Sequence, residues 1–225
     1  MDYVFALGGS IICPKKIDTE FLRGFYNLIT ERIEKNDRFV IITGGGDVAR
    51  HYQKSASLVN GVSDEQKDWI GIHATYLNAH LLKSIFNRFC HPEIVNRKGK
   101  VKRFGDSSLI IGSGWKPGWS TDYVATKMAI DTGIDNILIL SKQDYVYNKD
   151  PDENKDAQPI REISWSDYRS IIPKDWQPGL NVPVDPIASK LADERNKKVI
   201  VANGKDLDNL KLILDGSDFK GTTIK

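Results

Sequence analysis

Short apolar runs alternate with amphipathic segments along the whole chain. Six of these runs are rich in β-branched or other apolar residues and predict buried strands at 3–7, 39–42, 109–111, 136–140, 198–202 and 222–224. Most of the segments between them carry apolar residues at helical spacing. Alternation of this kind is typical of βαβ units with a parallel sheet. The pattern therefore predicts an α/β fold, a three-layer α/β/α sandwich with a mainly parallel sheet.

Capping residues locate the helices within this pattern. Helices are also expected from about Val48 and over 207–214. Pro173, Pro178 and Pro183 predict an irregular connection. The longest helix should carry an apolar stripe that faces the core or another subunit, formed by Ile70, Ala74, Leu77, Leu81 and Ile85. The predicted helix starts are Asp18, the capping-box pair Ser63 and Gln66, Ser120 or Thr121, Ser164 with Asp167, and Pro186 in a first turn.

Length and composition favour one globular domain over 1–225. The net charge of +2 comes from nearly balanced acids and bases, so we expect no nucleic-acid-binding surface. The two cysteines, Cys13 and Cys90, form no CxxC pair, which favours a reducing compartment. We see no secretory leader and no apolar run near the roughly 20 residues that span a bilayer. We therefore expect a cytoplasmic protein without a membrane segment.

Three of the predicted strands end in glycine-rich turns. These turns are Gly8-Gly9-Ser10, Gly44-Gly45-Gly46 and Gly112-Ser113-Gly114. The carboxyl ends of parallel strands share one edge of a sheet, so the turns should converge there. Glycine lets the backbone approach a ligand, and the helix starts that follow favour anions. No GxxxxGK[ST] loop is present, so the sequence predicts a phosphorylated ligand on a fold other than the P-loop one.

Motifs spread along the whole chain resemble the amino acid kinase superfamily, and more narrowly its archaeal-type UMP kinases. The order and spacing of six motifs carry the resemblance, more than any one of them. They are Leu7 to Ser10, Thr43 to Gly46 with Ala49 and Arg50, Asp68 to Leu82, Pro117 to Asp122, Asp144 with Val146, Tyr147, Asp150 and Pro151, and Asp185 to Lys190.

The resemblance implies an amino acid kinase fold with an acceptor lobe over about 1–130 and a nucleotide lobe over about 131–225. It implies that UMP is bound by Gly44, Gly45, Gly46, Arg50, Asp68 and Thr121. It places ATP against Gly8, Gly9, Ser10, Asp144, Tyr147 and Asp150. The implied catalytic residues are Asp122, which orients lysines in such kinases, and Lys190, which holds the position of one of those lysines.

The same resemblance implies phosphorylation of UMP to UDP by ATP with Mg²⁺, a step of pyrimidine nucleotide biosynthesis. It implies no metal-ligating residue of the protein itself. Similar kinases assemble as hexamers, trimers of dimers, so we expect a homo-oligomer. The small-molecule partners would be UMP and ATP.

Two departures from the family pattern leave alternatives open. Ala6 stands where many members have a lysine near the ATP phosphates, and Tyr145 stands where relatives have glycine. The first alternative is a kinase of this fold for another phosphorylated acceptor, such as isopentenyl phosphate, for which His51 and His73 lie in roughly suitable regions. The second alternative is a non-catalytic nucleotide-binding homologue that has lost turnover.

Overall fold

A seven-stranded sheet forms the centre of the molecule, which we describe from a computed structural model over residues 1–101, 103–151, 153–175 and 182–225. Its strand order is β3-β2-β1-β4-β8-β9-β7, and β5 and β6 form a separate antiparallel pair. The strands are β1 (Asp2–Leu7), β2 (Arg38–Thr43), β3 (Leu109–Gly112), β4 (Asn136–Ser141), β5 (Val146–Tyr147), β6 (Pro159–Ile160), β7 (Glu162–Ile163), β8 (Val199–Asn203) and β9 (Thr222–Ile224).

Most of this sheet is parallel, as the strand and helix alternation predicted. β1 pairs in parallel with β2 and β4, β2 with β3, and β4 with β8. Only β9 runs antiparallel to β8, and it continues in parallel with β7. The six predicted strands are confirmed within about a residue at each end. The sequence missed β5, β6 and β7 because two residues are too short to show a period.

Helices cover both faces of the sheet. They are α1 (Gly9–Ile12), α2 (Thr19–Glu34), α3 (Gly46–Val59), α4 (Asp64–Ile85), α5 (Thr121–Thr132), α6 (Trp165–Ile171), α7 (Pro186–Glu194) and α8 (Leu207–Leu214). Within the described ranges, none of these helices has the length and apolarity needed to cross a bilayer. The predicted irregular connection falls partly outside the described residues, since Pro178 lies there.

Alternate residues of β1 enter two separate cores, which establishes the three layers. Tyr3, Phe5 and Leu7 pack with residues of α2, α4 and α8. Val4 and Ala6 point to the opposite face and pack with residues of α5, α6 and α7. Because successive side chains of a strand point to opposite faces, a strand buried on both faces is apolar throughout. The α/β/α sandwich is thus confirmed.

Local capping rules fix several helix starts. The Asp18 carboxylate accepts from the Phe21 amide at 3.0 Å, and Ser63 and Gln66 form both bonds of a capping box. Of the two candidates at α5, Ser120 is the cap and Thr121 is the first helical residue. Side chains that satisfy the open N–H groups of a first turn are worth about 1 kcal/mol each.

The core face of α4 differs from the predicted apolar stripe. Leu77, in the middle of that stripe, is 62% exposed, and only Ala74 of the stripe is fully buried. The buried face instead consists of Ala74, Thr75, Asn78, Ala79 and Leu82. Two of these residues are polar because they bind the turns of the sheet, so hydrophobicity alone could not locate this face.

Candidate active site

The glycine turns after β1 and β2 touch each other through their backbones. A Cβ on Gly9 would lie 2.0 Å from the amide nitrogen of Gly46, and one on Gly44 would lie 2.4 Å from the nitrogen of Gly9. Gly46 also has a φ of +66°, which side chains disfavour. Because no side chain fits this contact, glycine is required for the two turns to lie together at the sheet edge.

Two polar side chains of α4 tie these turns to the one after β3. Asn78 Nδ2 donates to the carbonyl of Gly44 at 2.8 Å. Thr75 accepts from the Gly114 amide through Oγ1 at 2.8 Å, and its carbonyl accepts from Thr43 Oγ1 at 2.9 Å. Thr75 and Asn78 lie within the motif Asp68 to Leu82, but no role was predicted for either. Their only signal was a pair of polar residues on one face of a long helix.

A cleft of about 310 Å³ opens beside these turns, and we call it the first cleft. It contains six of the residues predicted for the site, namely Gly45, Gly46, Arg50, Asp68, Thr121 and Asp122. It also contains Gly114 of the third predicted glycine turn, and residues without a predicted role in the site, among them Thr75, Lys116, Trp119, Ser120 and Asp185. Gly44 packs behind the cleft, where Asn78 holds its carbonyl.

Helix starts supply the polar character of the first cleft. α3 begins at Gly46 and no side chain caps it, whereas α5 begins at Thr121 with its Ser120 cap. Both starts lie on the cleft wall. The unpaired amides of a helix start and the partial positive charge there favour anions. The first cleft therefore combines glycine backbone with two helix N-termini, an arrangement suited to a phosphate group.

Arg50 and Asp68 both line this cleft. The Arg50 side chain is 57% exposed and has a loose contact of 3.5 Å with Asp47, so its guanidinium can bind an anion. Asp68 Oδ2 accepts from the Gly118 amide at 2.8 Å, which anchors the loop that carries Trp119. Lys116 places its ammonium 4.3 Å from the centre of the Trp119 ring.

Two interacting carboxylates, those of Asp122 and Asp185, line the first cleft. Asp185 is 5% exposed, and its Oδ1 accepts from the amides of Ile187 at 2.8 Å and Ala188 at 3.0 Å, which caps α7. Its Oδ2 accepts from the hydroxyl of Ser120. Burial, and then the negative charge of Asp185, raise the pKa of Asp122 to about 8. A cation bound between ligand and protein here would favour the ionised form of Asp122.

A second cleft, of about 270 Å³, lies next to the first and shares Val182 with it. Its walls include the predicted residues Tyr147 and Asp150, together with Gln143, Pro151, Tyr168 and Ile171. Burial, followed by the charge of Asp144, raises the pKa of Tyr147. Asp144 itself is exposed and accepts from Asn203 Nδ2 at 2.9 Å. The cleft thus has aromatic and polar walls on segments with little regular structure.

Six predicted residues lie outside both clefts as the described residues define them, namely Gly44 and Asp144, discussed above, and Gly8, Gly9, Ser10 and Lys190. Gly8, Gly9 and Ser10 form the start of α1, where the Gly8 amide donates to Leu140 at 2.9 Å and Gly9 packs on the second turn. The Lys190 side chain is 63% exposed, and its ammonium lies 3.8 Å from Glu194 one turn along α7. The roles predicted for these residues stay predictions.

Comparison with known proteins places the chain in a family. The model of the amino acid kinase family matches residues 2–203. The chain is 33% identical to the uridylate kinase of Methanococcus vannielii, over 100% of this chain and 99% of that one. It is 34% identical to the uridylate kinase of Thermoplasma volcanium, over 99% of this chain and 96% of that one.

A solved structure shows the same architecture. The crystal structure of uridylate kinase from Archaeoglobus fulgidus superposes with a TM-score of 0.81 at 28% identity, and the match covers 100% of both chains. The family model matches most of the chain, and the superposition extends from β1 to β9. The chain belongs to the amino acid kinase family.

Proposed function

We propose that this protein transfers the γ-phosphoryl group of ATP to UMP, giving ADP and UDP. The observation that carries the proposal is the pair of adjoining clefts, one with two helix starts and a glycine backbone and the other with aromatic walls. Full-length relatives at about a third identity are uridylate kinases. The lobe division at about residue 130 is part of the proposal, with the acceptor in the first cleft.

In the first cleft UMP would place its phosphate at the start of α3. The backbone of Gly45 and Gly46 and the guanidinium of Arg50 would bind the phosphate oxygens. Asp68 would accept from a ribose hydroxyl with the oxygen that does not hold Gly118. Thr121, at the start of α5, would contact the same phosphate. Gly44 would act indirectly by supporting the turn.

In the second cleft ATP would pack its adenosine against Tyr147 and Asp150. Its phosphates would extend past Val182 toward Asp122, because Val182 is the wall that both clefts share. Gly8, Gly9, Ser10 and Asp144 would then support this binding from behind, through the turn contacts and the Asn203 bond. Lys190 would have to rotate away from Glu194 to reach the phosphates.

The reacting oxygen of the UMP phosphate would attack the γ-phosphorus while the bond to the β-phosphate oxygen breaks. Such a transfer depends mainly on positioning and on charge stabilisation. Asp122, on the wall of the first cleft, would orient cationic groups around the moving phosphoryl group. The phosphate acceptor needs no strong general base, since it is already an anion.

The Asp122 carboxylate would fit a magnesium ion that arrives with ATP. Mg²⁺ prefers oxygen ligands and is commonly held by one or two carboxylates together with substrate phosphates. The described residues contain no cluster of three or more metal-ligating side chains, so the phosphates would provide most ligands. Asp122 is the available carboxylate, since Asp185 already accepts three hydrogen bonds. When bound, Mg²⁺ would neutralise charge on the phosphates.

The wider setting of the proposal follows the uridylate kinase relatives. The protein would serve pyrimidine nucleotide synthesis in the cytoplasm and would assemble as a homo-oligomer, a hexamer built as a trimer of dimers. Exposed apolar side chains on α3 and α4 support an assembly, among them Tyr52, Leu58, Val59, Trp69 and Leu77.

An ADP-release assay with ATP-Mg²⁺ tests the proposed reaction. The acceptors to compare are UMP, CMP, dTMP, AMP and isopentenyl phosphate, each at the same concentration. We expect turnover with UMP to exceed turnover with the others. Preferred turnover of isopentenyl phosphate would assign the first cleft to another acceptor. Silence with every acceptor, while UMP still raises the melting temperature, would favour the non-catalytic alternative.

A further inference from the structure

We infer that Tyr168 is a positioning residue for phosphoryl transfer, because its hydroxyl fixes the backbone that presents Asp185 beside Asp122. This inference rests on the proposed function, since it concerns the same pair of clefts. Tyr168 lies on α6, is completely buried, and forms part of the wall of the second cleft. It therefore connects the wall of one cleft to the carboxylates of the other.

A single hydroxyl satisfies both backbone groups of Val184. Tyr168 Oη donates to the Val184 carbonyl at 2.6 Å and accepts from the Val184 amide at 2.7 Å. Val184 is itself fully buried and lies outside every helix and strand. Regular secondary structure would normally satisfy these two groups. Tyr168 thus replaces a strand or helix partner at one residue, and that residue is the one before Asp185.

Groups from different helices bind the Asp185 carboxylate and the peptide that precedes it. From α5, the hydroxyl of Ser120 donates to its Oδ2, and the first amides of α7 donate to its Oδ1. From α6, Tyr168 fixes the preceding peptide. The position of Asp185 relative to Asp122 therefore depends on how three helices are joined. Within the described residues, the hydroxyl of Tyr168 forms the only side-chain hydrogen bonds from α6 to the segment of Val184 and Asp185.

The ring of Tyr168 is anchored independently of its hydroxyl. It meets the Trp165 ring edge-on, with centroids 6.0 Å apart, and Trp165 Nε1 donates to the Lys197 carbonyl at 2.9 Å. Removal of the hydroxyl alone should consequently leave the ring in place. The loss would leave two buried backbone groups without partners, and the segment would shift to satisfy them.

The test compares Tyr168→Phe with Tyr3→Phe. Tyr3 is also buried, at 4% exposure, and its hydroxyl donates to a backbone carbonyl, that of Leu214, at 3.1 Å in the opposite core. Both variants should lower the melting temperature. Only Tyr168→Phe should lower kcat, on the order of 10-fold to 100-fold, because small misplacements of reacting groups are costly. KM for UMP and ATP should change less than about 3-fold.

A loss of kcat no larger than that of Tyr3→Phe would overturn the inference, because it would reduce Tyr168 to a core residue. Amide hydrogen exchange gives a second measurement that needs no turnover. In Tyr168→Phe the Ile187 and Ala188 amides should exchange faster, while the Phe21 amide, capped by Asp18, should not change. Unchanged exchange at Ile187 and Ala188 would also overturn the inference.

The exchange measurement also separates this inference from the proposed function. If the wild-type protein does not phosphorylate UMP, the proposed function fails, and the exchange rates still decide whether Tyr168 fixes the Asp185 segment. If Tyr168→Phe does not fold, the wild type supplies the test. Its Val184 amide should exchange as slowly as those of Ile187 and Ala188, and fast exchange at Val184 would contradict the bonds to Tyr168.

Discussion

The two clefts are built in different ways. The first cleft lies where parallel strands end and helices begin, and backbone contacts between glycine turns fix its floor. The second cleft lies among the two-residue strand β5, the end of α6 and three prolines, Pro151, Pro173 and Pro183. Functional groups at the edge of a sheet are held in place by the sheet. Functional groups on connecting segments depend on individual side-chain bonds such as those of Tyr168.

The largest effect on turnover should come from Asp122, a carboxylate that lines the first cleft and not the second. Asp122→Asn should lower kcat on the order of 10²-fold to 10³-fold, because it removes a preorganised charge from the site of transfer. Steady-state kinetics with UMP and ATP measures this change in kcat. Asp131→Asn is the matched control, since Asp131 lies on the same helix and pairs with Lys127. Retention of more than about a tenth of kcat by Asp122→Asn would contradict a central role for this carboxylate.

The rigidity of the first cleft can be broken at Gly46. Gly46→Ala should lower the free energy of unfolding by about 3 kcal/mol or more, because its Cβ would lie 2.3 Å from the Gly9 carbonyl oxygen. Gly133→Ala is the control, since Gly133 has a similar φ of +72° and open space around it. It should cost about 1 kcal/mol. Urea unfolding measures both, and equal losses would show that the turns do not depend on their contact.

The anion site of the first cleft can be weakened at Arg50 without touching the second cleft. Arg50→Ala should raise KM for UMP on the order of 10-fold, the typical worth of a charged hydrogen bond, and leave KM for ATP unchanged. Lys54→Ala, one turn further along α3 and exposed, should change neither value. A larger effect on ATP than on UMP would reverse the assignment of the two clefts.

The pH dependence of stability in metal-free buffer tests the charge of Asp122 independently of turnover. The raised pKa of Asp122, about 8, means that the folded state binds more protons than the unfolded state between about pH 4 and pH 8. The contribution of Asp122 to stability therefore falls as the pH rises through this window. Asp122→Asn should melt higher than the wild type at pH 8, with a smaller difference at pH 5. An equal difference at both values would contradict the raised pKa.

Local sequence rules predicted several helix starts and much of the first cleft. The caps at Asp18, Ser63 and Ser164 depend on neighbouring residues alone, and the structure confirms them. The glycine turns meet because parallel strands share an edge, which follows from the βαβ pattern. Of the residues predicted to bind UMP, only Gly44 lies outside the cleft wall.

Long-range contacts explain why the roles of some residues could not be predicted from the sequence. Thr75 and Asn78 appeared as polar interruptions of a helix, because their partners lie more than thirty residues away in the chain, at Gly44 and Gly114. Asp185 appeared only as the first residue of the motif Asp185 to Lys190, and its closeness to Asp122 depends on the packing of α5 on α7. Spacing in one segment does not determine such contacts.

Phosphorus NMR tests the central claim most directly, because it follows the transferred atom. The protein is incubated with ATP, Mg²⁺ and UMP, and the signals of the ATP γ-phosphorus and the UDP β-phosphorus are recorded over time. The UDP β-phosphorus should rise as the ATP γ-phosphorus falls, in equal amounts, and Asp122→Asn should slow both changes together. Loss of the γ-phosphorus to inorganic phosphate, or no change in either signal with UMP bound, would contradict transfer between the two clefts.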